Sequence, residues 1–152
     1  MSRGLGDVYK RQDLCLIVQR VVEYFDRRTS QKVVITFQCA ENQLMANINA
    51  PLFEWVIENL CKNAVDAMEG AGNIHIQLEA KHHGVHIEVS DTGKGMAKKH
   101  FKTVFKPGFT TKKRGWGLGL SLAKRIIEEY HHGHIYVKES EIGKGTVFAI
   151  DI

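Results

Sequence analysis

Two glycine clusters constrain this chain more than any other feature: Asp91-Thr92-Gly93-Lys94-Gly95-Met96 and Gly115-Trp116-Gly117-Leu118-Gly119-Leu120. Glycine lets backbone approach a neighbour closely, and a glycine-rich turn that feeds a helix start offers unpaired N–H groups to an anion. The clusters frame a basic, aperiodic segment: between Lys94 and Arg114 there are eight Lys or Arg residues and no Asp or Glu. A solvated face or a nucleic-acid surface would also be basic. Its place between two glycine clusters favours a third reading, a loop that covers a triphosphate. Phe101, Phe105 and Phe109 then anchor the loop rather than stack on bases.

The flanking segments read as an alternation of helices and hairpins. Asp13 is a plausible N-cap for a helix with Leu14, Ile17, Val18, Val21, Val22 and Phe25 at helical spacing. Residues 1–12 lack periodicity and are expected as a disordered leader, so the domain is taken as 13–152. Residues 33–39 and 44–49 read as strands. Pro51 suits the first turn of the next helix, whose core stripe is Phe53, Val56, Ile57, Leu60, Ala64 and Met68, ended by Gly70 and Gly72. Asn59 and Asn63, four residues apart, share a different face of that helix. Ile74, Ile76 and Leu78 alternate, as do Val85, Ile87 and Val89, with a turn at 81–84. A helix over 118–130 stopped by Gly133 and a hairpin over 135–138 and 146–152 complete the chain. The expected architecture is α+β: a two-layer α/β sandwich with a mixed, mostly antiparallel sheet, helices on one face and a lid loop.

The length of 152 residues fits one domain, and 43% apolar with 25% charged residues is ordinary for a soluble globular protein. No apolar run is long enough to span a bilayer. Cys15, Cys39 and Cys61 show no metal spacing and lie in apolar segments, so buried reduced thiols and a cytoplasmic compartment are expected. The pairs His82-His83 and His131-His132 fall at turns and are expected to be solvated.

Taken in order, these segments resemble the boxes of sensor histidine kinases. Asn59-Leu60-Cys61-Lys62-Asn63-Ala64 is similar to their N box and the cluster at Asp91 to their first glycine box. Phe101 to Phe109 with Thr110-Thr111-Lys112 resembles the F box, the cluster at Gly115 the second glycine box, and Gly143-Lys144-Gly145-Thr146 the terminal Gly-Thr motif. The resemblance covers roughly 13–152, and five boxes in family order are far more specific than any one of them.

The resemblance implies an ATP-binding catalytic domain that uses Mg²⁺. Asp91 is implied as the adenine contact; a carboxylate only accepts, and adenine offers its exocyclic amine where guanine has an oxygen. Asn63 is implied as the Mg²⁺ ligand, since an amide oxygen is a hard neutral donor. Asn59 supports the ion or its phosphates, and Lys112 meets the terminal phosphates. Backbone around Gly115, Gly117, Leu118, Gly119 and Leu120 cradles those phosphates. Gly93, Gly95, Met96, Phe105, Thr110, Thr111 and Thr146 complete the implied binding set. Related gyrase, heat-shock chaperone and mismatch-repair ATPases carry a water-activating Glu four residues before the metal-binding Asn. Here that position is Asn59, and Glu58 is turned roughly 100° off that face. Asp66 stands where the family is often basic, and Gly108 where it is often aromatic.

None of the eight histidines is followed by Asp or Glu, as a phosphoacceptor in these kinases typically is. The implied function is therefore transfer of the γ-phosphoryl group to a histidine on a dimerisation domain absent from this chain, with a response regulator downstream. A monomeric cytoplasmic domain without nucleic-acid or membrane contact is expected, within a parent that could be membrane-anchored through other segments. Two alternatives remain open on the residues: a nucleotide-binding interaction module without transfer, and a serine kinase of the anti-sigma-factor type.

Overall fold

A computed structural model describes residues 9–109 and 119–152. Strand β1 (Lys10–Asp13) leads into α1 (Leu14–Arg28), followed by β2 (Val33–Cys39), β3 (Met45–Ile48) and α2 (Ala50–Ala67). Then come β4 (Gly72–Lys81), β5 (Gly84–Asp91), two 3₁₀ turns at Lys98–His100 and Thr103–Phe105, and α3 (Gly119–Arg125). The last helix runs on as a π-helical turn, Ile126–Tyr130, before β6 (His134–Glu141) and β7 (Gly145–Asp151).

Five strands form the main sheet in the order β2-β4-β5-β7-β6. Only β2 and β4 run parallel; the other pairs are antiparallel. Alternation decides the faces. Ile74, Ile76 and Leu78 of β4, Val85, Ile87 and Val89 of β5, and Phe148 and Ile150 of β7 are buried. Against them packs the apolar stripe of α2 (Phe53, Val56, Ile57, Leu60, Ala64), while that of α1 (Leu14, Ile17, Val18, Val21, Val22, Phe25) packs on α2 and β2 within the same core. Each fully buried Leu, Ile or Phe contributes about 1.5–3 kcal/mol, so these stripes hold the helix layer to the sheet. The expected two-layer sandwich is the fold observed.

The opposite face is polar. His86 lies there with Asp151 on Nδ1 at 2.5 Å and Glu88 on Nε2 at 2.7 Å. Lys138 also bonds Glu88, and Tyr136 donates to Asp151 at 2.7 Å. Burial pushes both carboxyls up, but the hydrogen bonds from Lys138 and His86, and from His86 and Tyr136, outweigh it and hold both below their ordinary values.

Both long helices start where their caps dictate. Asp13 Oδ1 accepts from the amide of Cys15 at 3.0 Å and from that of Leu44 at 3.1 Å. Asn49 Oδ1 accepts from Leu52 N–H at 3.1 Å, with Pro51 in the first turn of α2.

Three features depart from expectation. Lys10–Asp13, within the segment expected to be a leader, pairs antiparallel with β3; a four-residue polar strand has no apolar alternation to announce it. Cys15 and Cys39, expected as separate reduced thiols, are joined in a disulfide. His131, expected to be solvated, is half-buried. Its Nδ1 donates to the Ile126 carbonyl at 3.0 Å, and its Nε2 accepts from Asn49 N–H at 3.0 Å.

Candidate functional site

Asp91 ends β5 in the same alternating row as Val85, Ile87 and Val89, so the strand turns a carboxylate toward the helix layer. It is 9% exposed. Its Oδ1 accepts from Gly93 N–H at 2.8 Å and from Thr146 N–H at 3.3 Å. Neither bond falls on Oδ2, which keeps its acceptor capacity. Burial raises the Asp91 carboxyl above its ordinary value, against the pull of the two amides.

Around this carboxylate the first glycine cluster is clamped between α2 and the β6–β7 hairpin. A methyl group on Gly93 would lie 2.7 Å from the Ala67 carbonyl, and Lys94 N–H donates to that same oxygen at 2.9 Å. Gly95 has φ +68°, and a Cβ there would stand 2.1 Å from the Glu141 carbonyl oxygen. Gly145 likewise has φ +135° and no room for a Cβ beside the Asp91 carbonyl, 2.0 Å away. Both positions therefore need glycine for conformation and for space.

Ser140 ties the hairpin to the cluster. Its Oγ accepts from Met96 N–H at 2.8 Å and lies 2.7 Å from Thr146 Oγ1, and Thr146 is buried. The sequence reading missed Ser140 because no motif marks it. Its only signal is its position across the turn from Thr146, visible once the hairpin register is known.

Helix α2 supplies the rest. Asn63 lies about one turn before Ala67 and Asn59 another turn earlier, on the face turned to α3. A methyl group on Gly119 would sit 2.9 Å from both amide heteroatoms of Asn59, so the N box touches the start of α3. Asn59 Nδ2 is buried without a hydrogen-bond partner among the described residues. Glu58 is ion-paired with Lys62 at 3.3 Å, a solvent-side i,i+4 pair, and Asp66 is exposed.

The structure thus gathers Asp91, Gly93, Gly95, Met96 and Thr146 at one end, and Asn59, Asn63 and Gly119 along α2. Leu120 follows Gly119, half-buried. Phe105 stands apart: it is buried edge-on against Phe148, ring centres 6.0 Å apart, which is a packing role. Thr110, Thr111, Lys112, Gly115, Gly117 and Leu118 lie outside the described residues. An open groove of about 400 Å³ on the far side of α3, lined by Phe105, Pro107, Leu122 and Glu128 among others, contains none of the clustered residues. Among the described residues no group of three or more His, Cys, Asp and Glu could hold a metal ion.

Residues 49–152 match the family described as histidine kinase-, DNA gyrase B-, and HSP90-like ATPases. The chain belongs to this family. Within it, the chain is 43% identical over 115 residues to sporulation kinase E of Bacillus subtilis (strain 168), covering 75% of this chain and 14% of that protein. The chain therefore spans about a seventh of that relative. It superposes on the nucleotide-free catalytic domain of histidine kinase ThkA with a TM-score of 0.86 at 28% identity, covering 95% of each chain. It also superposes on ThkA in complex with its response regulator TrrA, TM-score 0.82 at 26% identity, covering 95% of this chain and 41% of that one. In sequence and fold this ATPase-family domain is of the histidine kinase catalytic type, and ATP is the nucleotide such a domain holds.

Proposed function

We propose that this domain binds Mg-ATP between α2 and the end of β5 beside the β6–β7 hairpin, and that it serves as phosphoryl donor to a histidine on a dimerisation domain outside this chain. The observation that carries the reading is the placement of Asp91. Its Oδ1 is committed to two backbone amides, so Oδ2 is held in one orientation as an acceptor for the adenine amine. Thr146, fixed by Ser140, lies beside it.

The remaining residues fit the phosphates and the ion. The Asn63 amide oxygen would hold Mg²⁺, and Asn59, whose buried Nδ2 lacks a partner among the described residues, would donate to a phosphate oxygen. Gly119 keeps the approach to Asn59 open. Mg²⁺ bound there supplies charge neutralisation on the phosphates, which is most of what phosphoryl transfer asks of a protein. Lys112, with Thr110 and Thr111, would reach the terminal phosphates from the lid. Gly115, Gly117 and Leu118 would cradle them.

Transfer rather than hydrolysis follows from position 59. An asparagine amide cannot take a proton from water, and the one adjacent carboxylate, Glu58, is turned to Lys62. The response regulator TrrA is bound to ThkA in its complex, and a regulator of that kind is the proposed downstream partner here.

Incubation with γ-labelled Mg-ATP and a histidine-bearing dimerisation hairpin tests this. The expected product is an acid-labile, alkali-stable phosphoprotein, lost with Asn63→Ala. Steady release of free phosphate without protein label would overturn it in favour of a hydrolase.

A further inference from the structure

We propose that Cys15 and Cys39 form a redox-responsive site: a reversible disulfide between the first turn of α1 and the end of β2, made and broken by exchange with a low-molecular-weight disulfide.

The two residues are 24 positions apart in sequence, so their meeting is a product of the tertiary fold. Their Cα atoms are 6.0 Å apart, inside the range of about 4.4–6.8 Å that a disulfide spans without backbone movement. The fold holds that spacing by means other than the sulfurs. Asp13 Oδ1 accepts from the amides of both Cys15 and Leu44, and Leu14 N–H donates to the Leu44 carbonyl at 2.7 Å. The start of α1 is thereby tied to the segment that follows β2, whichever redox state the thiols are in.

Access is one-sided. Strand β2 is an edge of the sheet, and Cys39, its last residue, is only partly buried, while Cys15 is buried at 7% exposure. The Cys39 thiolate attacks one sulfur of a small disulfide and expels a thiolate, leaving a mixed disulfide. The Cys15 thiolate then attacks Cys39 Sγ and expels the second thiolate. The two protons lost by the cysteines end on the two released small thiols, and the electrons balance. A small dithiol reverses both steps.

Cys61 is excluded from this chemistry. It is fully buried, and burial, with Glu58 nearby, pushes its thiol up to about 12, whereas only the thiolate is nucleophilic. An accessible, reversible pair of this kind is also the form in which disulfides occur where thiols are otherwise kept reduced.

The full chain is incubated with oxidised glutathione or with dithiothreitol, alkylated under denaturing conditions and weighed intact. Oxidation should leave one alkylatable cysteine and reduction three, with a Cys15–Cys39 linked peptide in the digest of the oxidised form. The oxidised form should melt about 5–10 °C higher, and the shift should reverse with dithiothreitol. Cys39→Ser, at the less buried of the two positions and so the gentler change, should melt identically under both conditions. Three alkylatable cysteines after oxidation, a linked peptide containing Cys61, or equal melting of the two wild-type forms would overturn the proposal.

Discussion

Asp91 shows how a residue that is costly to the fold can be the one on which a proposed binding role rests. Its strand alternation places it where Val85, Ile87 and Val89 place apolar side chains, and burial raises its carboxyl above the ordinary value. A carboxylic acid with a raised folded value contributes its stability in full below its unfolded value near 3.8, and that contribution is lost as pH rises through the folded value. At neutral pH the charged form therefore works against folding. Asn keeps an oxygen for the Gly93 and Thr146 amides but replaces Oδ2 with a donor. Asp91→Asn is thus expected to melt no lower than the parent at pH 7 by calorimetry, while its ATP affinity falls about 10- to 100-fold, the scale of a lost bond to a charged group. A melting temperature several degrees lower would mean that the carboxylate is structural.

At the scale of elements, the last helix is the instructive case. Periodicity predicts one helix over 118–130, yet α3 gives way to a π turn at Ile126–Tyr130. The reason is His131: both its backbone N–H, at 3.1 Å, and its Nδ1 donate to the Ile126 carbonyl, five residues back. Nε2 must then be the bare acceptor for Asn49 N–H, joining the end of this helix to the cap of α2. Burial lowers the imidazole below 6.5, with His132 adding to the effect and the Ile126 bond opposing it. A base with a depressed folded value adds stability above its unfolded value, and loses it as pH falls through the folded one. Denaturant midpoints should therefore drop between pH 7 and pH 5, and His131→Gln should flatten that slope. An unchanged slope in the variant would remove His131 from the account.

For the molecule as a whole, the sandwich was legible because its long elements carry strong periodicity. The α2 stripe, the alternation of β4 and β5, and the caps at Asp13 and Asn49 are local signals that tertiary packing reinforces. What escaped notice depends on partners distant in sequence. Lys10–Asp13 becomes a strand only through β3, Cys15 meets Cys39 only once α1 docks, and Ser140 finds Met96 and Thr146 only across the hairpin. The site divides the same way. Glycines with positive φ and no room for a Cβ, Gly95 and Gly145, announce themselves by residue type. The motif resemblance places Phe105 in the implied binding set, whereas its buried ring packs edge-on against Phe148.

The central claim is that this fold presents an adenine-selective, Mg²⁺-dependent nucleotide site. Calorimetric titration of the intact chain with ATP, ADP and GTP, each with Mg²⁺, tests it most directly. The account predicts binding of ATP and ADP, rejection of GTP, and weakening of ATP when Mg²⁺ is chelated. Equal affinity for ATP and GTP would contradict the role given to Asp91, and no binding of either adenine nucleotide would contradict the site itself.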